Sequence, residues 1–389
     1  MGGPVAGIRV VELGVWVAAP ATAAILADWG ADVVKIEPPT GDPGRLFGPM
    51  LGCEPGVNPP FEMDNRSKRS IVLDLSTDAG RDTALELLSD ADVFVTNLRP
   101  GALDRLGLDF GSVAVRNPRL VYGLITGYGE TGPDADRAAY DVAAFWSRAG
   151  IADLLTQPGH PPPFQRGGMG DHSAGMTLAA AVCAALLARE RTGTGQLVST
   201  SLYRQGAYTV SFDLNTYLMT GQPIMLGQRE SMFNPCMNNY TAGDGRRFWI
   251  VGLEGDRHWP PLCRVVGHPE WLTDPRYSDA RTRAINAVGL IAALDEIFAT
   301  KPLDEWAETF ASEPDFFWSP INTVEDVVAD EQFHAAGGFV DVPDGDSSVL
   351  MVATPADFHG TPSAPRSTAP GLGQHTEEVL AELVARREP

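Results

Sequence analysis

The stretch "GIRVVELGVWVAAPATAAILADWGADVVKIEPP" (residues 7–39) decides how the rest of the chain is read. It opens with "GIRVVELG" (7–14), a short β-branched run ending in glycine, and closes with "ADVVKIEPP" (31–39), a second such run stopped by prolines. Between them, "AAPATAAILADWG" (18–30) has the composition of a helix with a glycine stop. This is a β-α-β unit, whose two strands run parallel because the connection crosses over through a helix. The alternation continues through "RSIVLDLS" (69–76), a helix from about 77 to 90 that Ser76 or Thr77 caps, "ADVFVTNL" (91–98) and "RLVYGLITG" (119–127). Strands alternating with helices predict an α/β fold with a mostly parallel sheet covered on both faces.

Further along, "SAGMTLAAAVCAALLARERTGTGQ" (173–196) reads as an Ala/Leu-rich helix with basic residues in its last turn and glycine stops. "LVSTSLY" (197–203) reads as a strand running into a helix. The composition shifts at "MTGQPIMLGQRESMFNP" (219–235), so one break falls near 220, and a second falls near 330. Asp244-Gly245 in "NYTAGDGRRFWIVGL" (239–253) and Asp344-Gly345 in "GGFVDVPDGDSSVLMVATP" (337–355) each predict a hairpin. Residues 268–335 read as mainly helical, and "GLGQHTEEVLAELVARR" (371–387) as a loop leading into an exposed C-terminal helix.

With 389 residues, 44% of them hydrophobic, the chain can bury a full core and make two domains or more. Its 29 Lys+Arg against 50 Asp+Glu give a formal charge of −21, which repels nucleic acid and anionic lipid. Neither is expected as a partner. The cysteines at 53, 183, 236 and 263 show no C-x-x-C spacing, and no His pair has ligand spacing, so no metal site is expected. No apolar run is read as spanning a bilayer, and the expectation is a soluble, cytoplasmic protein.

No G-x-G-x-x-G follows the first strand, and neither a P-loop nor G-x-S-x-G occurs, which removes the usual signals for nicotinamide chemistry and serine hydrolysis. The nucleophile candidates that remain are carboxylates. Asp171 stands in "GMGDHSAGM" (168–176), between glycines and a long apolar helix. One reading makes it an N-cap or first-turn acid of that helix. In the other, the glycines at 167, 168 and 170 admit a ligand, and a carboxylate ionised at its ordinary pKa of about 3.9 attacks an acyl carbon without an activating base. "NLRPGALDRLG" (97–107) lies where a strand ends and a helix begins, the usual ligand edge of such sheets. Its Asn97, Arg99 and Arg105, with "NRSKRS" (65–70), form either a phosphate-binding patch or a solvated basic edge. Tyr140, Asp141 and Trp146 in "RAAYDVAAFW" (137–146) and Glu254 in "VGLEGDRHW" (251–259) are further polar or aromatic candidates, although the residues alone favour core or interface packing for Tyr140 and Trp146 and an ordinary loop acid for Glu254. Trp16, Phe61, Phe145, Trp146 and Phe164 could line an apolar acyl pocket or belong to the core.

Nine segments in order give the chain a resemblance to the family III CoA-transferases of the CaiB/BaiF type over essentially its whole length. They are "GIRVVELG", "WGADVVKIEPPTGDPGR", "NRSKRSIVLDLST", "TNLRPGALDRLGLD", "NPRLVYGLITGYGETGP", "YDVAAF", "GDHSAG", "RTGTGQLVSTSLY" and "APGLGQHTEEVL". The resemblance implies a Rossmann-like large domain formed by residues 1–220 and 331–389, a smaller α+β domain at 221–330, and an interlocked homodimer. It also implies that Asp171 attacks an acyl-CoA to give an anhydride and then an aspartyl-CoA thioester, from which a carboxylic acid acceptor takes the CoA. By the same resemblance Tyr140 and Asp141 are site residues, and Asn97, Leu98, Arg99 and Arg105 contact CoA. Lys68 and Arg69 are expected near its phosphates, and the turn of Val15, Trp16, Val17 and Ala18 against its nucleotide or pantetheine arm. CoA enters as substrate, with no metal. There are departures: Val17 stands where one branch has a substrate-holding glutamine, Pro38 where it has a CoA-contacting arginine, and its glycine-rich loop is reduced to "GLEGD". The same family includes α-methylacyl-CoA racemases, with which Glu254 agrees, but Tyr140 stands in place of their catalytic histidine, and a phenol is a poor base at neutral pH. A non-catalytic CoA-ester binding protein is the third reading.

Overall fold

The computed structural model describes residues 2–224 and 227–386. Six strands form one sheet: β1 (Arg9–Leu13), β2 (Asp32–Glu37), β3 (Arg69–Val72), β4 (Val93–Thr96), β5 (Val121–Thr126) and β6 (Leu197–Ser201). They lie in the order β3-β2-β1-β4-β5-β6, and every neighbouring pair is parallel. The direction of winding reverses between β1 and β4, which is where an open α/β sheet leaves a crevice at its carboxyl edge. Val10, Val11, Val33, Val34, Val93, Val95 and Ile125 are all buried, as a sheet covered on both faces demands.

Among the helices are α1 (Ala18–Asp28), α2 (Pro59–Asn65), α3 (Asp78–Ser89), α4 (Pro100–Leu106), α5 (Met169–Thr192), α6 (Leu202–Thr209), α7 (Ser211–Thr220), α8 (Gly255–Val265) and α9 (Thr376–Ala385). One face of the sheet is covered by Ala19, Ala23 and Leu26 of α1 with Leu178, Ala179 and Val182 of α5. The other is covered by Ala84, Leu87 and Leu88 of α3, Leu103 of α4, and Val379 and Leu383 of α9. The helix read over 77–90 starts as expected, with Thr77 Oγ1 accepting from the Gly80 amide at 3.1 Å. Helix α5 is long and apolar enough to cross a bilayer by length and composition, contrary to the sequence reading. Its Ala174, Leu178, Ala179, Val182 and Ala185 are nevertheless buried in the core of the sheet. It crosses α1 closely at Gly175, where an added Cβ would stand 3.1 Å from the Ala18 carbonyl.

After β6 the chain divides into two compact units, residues 1–215 with 332–389, and residues 216–331. In the first, the C-terminal segment returns to the sheet: the His375 amide donates to Ser70 O at 2.9 Å, and the Val72 amide donates to Thr376 Oγ1 at 3.1 Å. This covers the free edge of β3. The first unit also carries the 344–345 hairpin, β10 (Phe339–Asp344) with β11 (Ser347–Val352). The second unit carries the 244–245 hairpin, β7 (Met237–Thr241) with β8 (Arg247–Val251), over its own core of Phe248, Phe298, Trp306 and Phe310. A third strand, β9 (Trp318–Pro320), pairs with β8. It lies inside the stretch read as helical, and three residues ending in proline carry no strand periodicity to detect.

Candidate active site

Helix α5 begins at Gly168, whose φ of +77° is the left-handed conformation that glycine accepts freely, and the N-cap residue itself offers no side chain. The orphan amides of the first turn are satisfied from another segment. Asp141 Oδ2 accepts from the Gly170 amide at 2.9 Å and from the Asp171 amide at 3.3 Å, while Asp141 Oδ1 accepts from Gln165 Nε2 at 2.8 Å. The fit is close enough to require glycine at 170, because a Cβ there would lie 2.2 Å from Asp141 Oδ1 and 2.3 Å from Phe145 Cγ. Asp141 is therefore the capping acid: Asp171 is not the N-cap, although it is the acid of the first turn, the other half of that reading. Asp171 sits in the first turn, partly buried, and its carboxylate accepts no hydrogen bond among the described residues. Burial, reinforced by the neighbouring Asp141 charge, pushes its carboxyl up to about 7, with His172 pulling the other way. The ordinary carboxylate pKa read from sequence does not hold here.

Behind Asp171 runs a chain of buried charges. His172 Nε2 lies 3.0 Å from Asp64 Oδ1 on α2. Lys68 Nζ donates to the Asp64 carbonyl (2.6 Å), Asn65 Oδ1 (3.1 Å), the Pro20 carbonyl (2.9 Å) and Glu12 Oε2 (2.7 Å). Glu12 Oε1 in turn receives Lys35 Nζ at 2.7 Å, and Lys35 reaches Asp42 Oδ2 at 2.8 Å. The side chains of Lys35, Lys68 and Glu12 are 0% exposed. This corrects the placement of Lys68 beside a phosphate: all of its bonds are made inside the protein, and burial drags its ammonium down to about 8. Arg69 is corrected as well. It opens β3, at the amino edge of the sheet, and its guanidinium is held by Asp32, Glu378 and Glu382.

At the carboxyl edge, the turn after β1 is clamped from both sides. Asn97 Oδ1 accepts from the Val15 amide at 3.0 Å, and Asn97 Nδ2 donates to the Val15 carbonyl at 2.8 Å. Trp16 has a φ of +66°, a costly conformation for a bulky residue, and its amide is held by Asp42 Oδ1 at 3.0 Å. Asn97 is thus engaged with the turn itself, and the buried chain of charges reaches that same turn through Asp42. The Trp16 ring lies 5.3 Å from Phe47 and 5.9 Å, edge-on, from Tyr140, which is 63% exposed. Val17 and Ala18 are buried at the start of α1, which has neither a side-chain cap nor an acidic residue in its first turn. Leu98 is half-buried. Arg99, at the N-cap of α4, and Arg105, in its last turn, are exposed; among the described residues the Arg99 guanidinium donates to the Asp136 carbonyl at 3.3 Å and Arg105 has no ion pair. Glu254 lies in the other unit, at the head of α8, exposed and paired with Arg257 at 3.1 Å. Of the apolar pocket candidates, Phe61, Phe145 and Trp146 are buried, whereas Phe164 is fully exposed.

The first unit therefore brings Asp171, Asp141 and His172 together at the start of α5, and Trp16 and Tyr140 together at the carboxyl edge of β1. Sequence reasoning missed Glu12, Lys35, Asp42, Asp64, Gln165 and the pairing of His172. A signal for two of them was present: Glu12 and Lys35 interrupt otherwise apolar strands, and a charge inside a buried strand must be paired.

Three comparisons bear on this geometry. The family model described as CoA-transferase family III matches residues 5–376. The chain is 34% identical to the (R)-2-hydroxy-4-methylpentanoate CoA-transferase of Clostridioides difficile, over 97% of this chain and 94% of that protein. It is 32% identical to the cinnamoyl-CoA:phenyllactate CoA-transferase of Clostridium sporogenes, over 97% and 92%. Among solved structures, a CaiB/BaiF family protein from Brucella suis superposes with a TM-score of 0.86 at 33% identity, covering 98% of this chain and 100% of that one.

Proposed function

From the premise that this chain belongs to CoA-transferase family III, and is a CoA-transferase, we propose that Asp171 carries the transfer as a covalent nucleophile. The observation that carries the reading is the Asp171 carboxylate itself: in the first turn of α5, relieved of capping by Asp141, and accepting no hydrogen bond among the described residues. An Asp171 oxygen adds to the thioester carbonyl of an acyl-CoA, and collapse expels CoA thiolate and leaves an acyl-aspartyl anhydride. The thiolate then attacks the aspartyl carbonyl, the donor acid departs as carboxylate, and an aspartyl-CoA thioester remains. An acceptor carboxylate attacks that thioester and releases the thiolate. The thiolate takes the acyl group from the new anhydride, restoring Asp171. No proton is gained or lost over the cycle, so the site needs no general base.

Arg99 and Arg105 are the cations proposed for the CoA phosphates, because both are exposed, one at the N-cap and one in the last turn of α4, and free of carboxylate partners among the described residues. The uncapped start of α1 adds amides at the same edge of the sheet. Trp16, with Phe47 and Tyr140 around it, supplies an aromatic surface suited to an acyl group with apolar bulk. The relatives named above act, by their names, on branched and aryl 2-hydroxy acids, and such acids are the first acceptors to try. We also propose a homodimer. Tyr208 on α6 and Phe212, Leu218 and Met219 on α7 are each at least 78% exposed, more apolar surface on one stretch than a lone chain ordinarily leaves open. The α-proton exchange of racemases is not carried forward: Tyr140 is an exposed phenol and Glu254 an exposed, ion-paired acid.

The reading is tested by supplying acyl-CoA donors with a panel of carboxylic acids and following the new CoA ester by mass spectrometry. A new ester with the wild-type protein, and at least a ~10³-fold loss in Asp171→Ala, is the expected result. Undiminished transfer by Asp171→Ala overturns it.

A further inference from the structure

We propose that His172, seated on the Asp64 carboxylate at the end of the buried charge chain, is the positioning residue that supplies Asp171 with its counter-charge. The inference rests on the reading of Asp171 as nucleophile. Asp171 is followed in sequence by His172, and from there groups of alternating sign run inward: His172 on the Asp64 carboxylate, Lys68 on the Asp64 main-chain carbonyl and on Glu12, and Lys35 between Glu12 and Asp42. With every group ionised there are four anions and three cations, and His172 is the cation nearest the nucleophile in sequence. Its ring folds back over the start of α5, so that a Cβ on Gly168 would lie 3.0 Å from His172 Cε1. Asp64 fixes the other side of the ring at Nε2 and is itself almost wholly buried, which leaves the imidazole little freedom to swing away. The His172 side chain remains 39% exposed, so it exchanges protons with solvent.

The titratable groups facing Asp171 are His172 on its own helix, Asp64 from α2 and Asp141 from the segment before Gln165. Those facing His172 are Asp64, Asp171 and Asp141. The cavity of about 350 Å³ beside His172 adds only Asp28 and Arg66, which are paired to each other at 2.7 Å. Burial works against the His172 charge, but its hydrogen bond to Asp64 and the three surrounding carboxylates outweigh it and raise the imidazole above its ordinary value. The residue next to Asp171 in sequence thus holds its positive charge to higher pH than a free histidine, and opposes the two acids that repel the ionisation of Asp171. The nucleophilic form is thereby kept populated near neutral pH.

Two measurements test this. The first is a titration of ¹⁵N-histidine resonances in wild type and in Asp171→Asn, with His172 identified by its loss in His172→Asn. Coupling between two sites is reciprocal, so the His172 midpoint should fall by about one pH unit when the Asp171 charge is removed. An unmoved midpoint overturns the proposal, whether or not the protein transfers CoA. The second is the pH dependence of hydroxylamine-trapped acyl adduct formation in wild type, His172→Asn and His172→Lys. The acid limb should move up by about one unit in His172→Asn, close to a tenfold loss of rate below it, and return in His172→Lys. A limb that stays in place in folded His172→Asn contradicts the role. Absence of any adduct in the wild-type protein would instead count against Asp171 as nucleophile, leaving the first measurement to decide the coupling.

Discussion

Asp171 and Asp141, 30 residues apart in sequence, meet at the start of α5 in opposite circumstances. Asp141 spends both oxygens on N–H donors, whereas Asp171 has none among the described residues and is raised to about 7 by burial and by Asp141. Because the folded value lies above the ordinary 3.8, the stabilising contribution of this group is fully present below pH 3.8. It is lost as pH rises through about 7. Asp171→Asn should therefore melt higher than wild type by about 2–4 °C at pH 8, with no difference near pH 4, in thermal scans at the two pH values. Asp141→Asn works in the opposite sense on function. It removes the like charge, so the acid limb of the reaction should move down, while the weakened cap costs about 1 kcal/mol of stability. The candidacy of Asp171 as the site acid was legible in its glycine setting. Its freedom from capping was not, because the acid that takes over that duty lies 30 residues upstream and nothing local announces it.

At the scale of elements, the parallel β-α-β alternation was legible because each strand is a short β-branched run and each helix has its cap or glycine stop. The two Asp-Gly hairpins were legible because the turn type itself selects those residues. The basic run "NRSKRS" misled. It looks like a phosphate-binding edge, yet Lys68 closes on Glu12, 56 residues away, and Arg69 on α9 and Asp32. Lys68→Met should accordingly act as a stability mutation, leaving Glu12 with one lysine in place of two. A loss of about 3–5 kcal/mol in denaturant unfolding is expected, with unchanged CoA affinity in the protein that still folds. Gly170→Ala drives a methyl into Asp141 and Phe145, and should cost about 1–3 kcal/mol together with most of the transfer rate, since it displaces the first turn that presents Asp171.

Across the whole molecule, a net charge of −21 opposes the approach of any polyanion, and yet the proposed substrate carries several phosphate charges. Only a local cluster of free cations overcomes that field. Arg99 and Arg105 are the pair proposed to provide it, near the carboxyl edge of a sheet whose winding reverses between β1 and β4. Arg99→Ala with Arg105→Ala should weaken CoA binding by at least tenfold in calorimetry and flatten its salt dependence, with melting temperature nearly unchanged because both side chains are exposed. The measurement that goes most directly to the central claim is intact-protein mass after mixing with an acyl-CoA and quenching with hydroxylamine, followed by peptide mapping. If Asp171 is the nucleophile, wild type gains a hydroxamate on the peptide that contains it and Asp171→Ala gains none. A hydroxamate elsewhere, or transfer to product with Asp171 unmodified, would contradict the account.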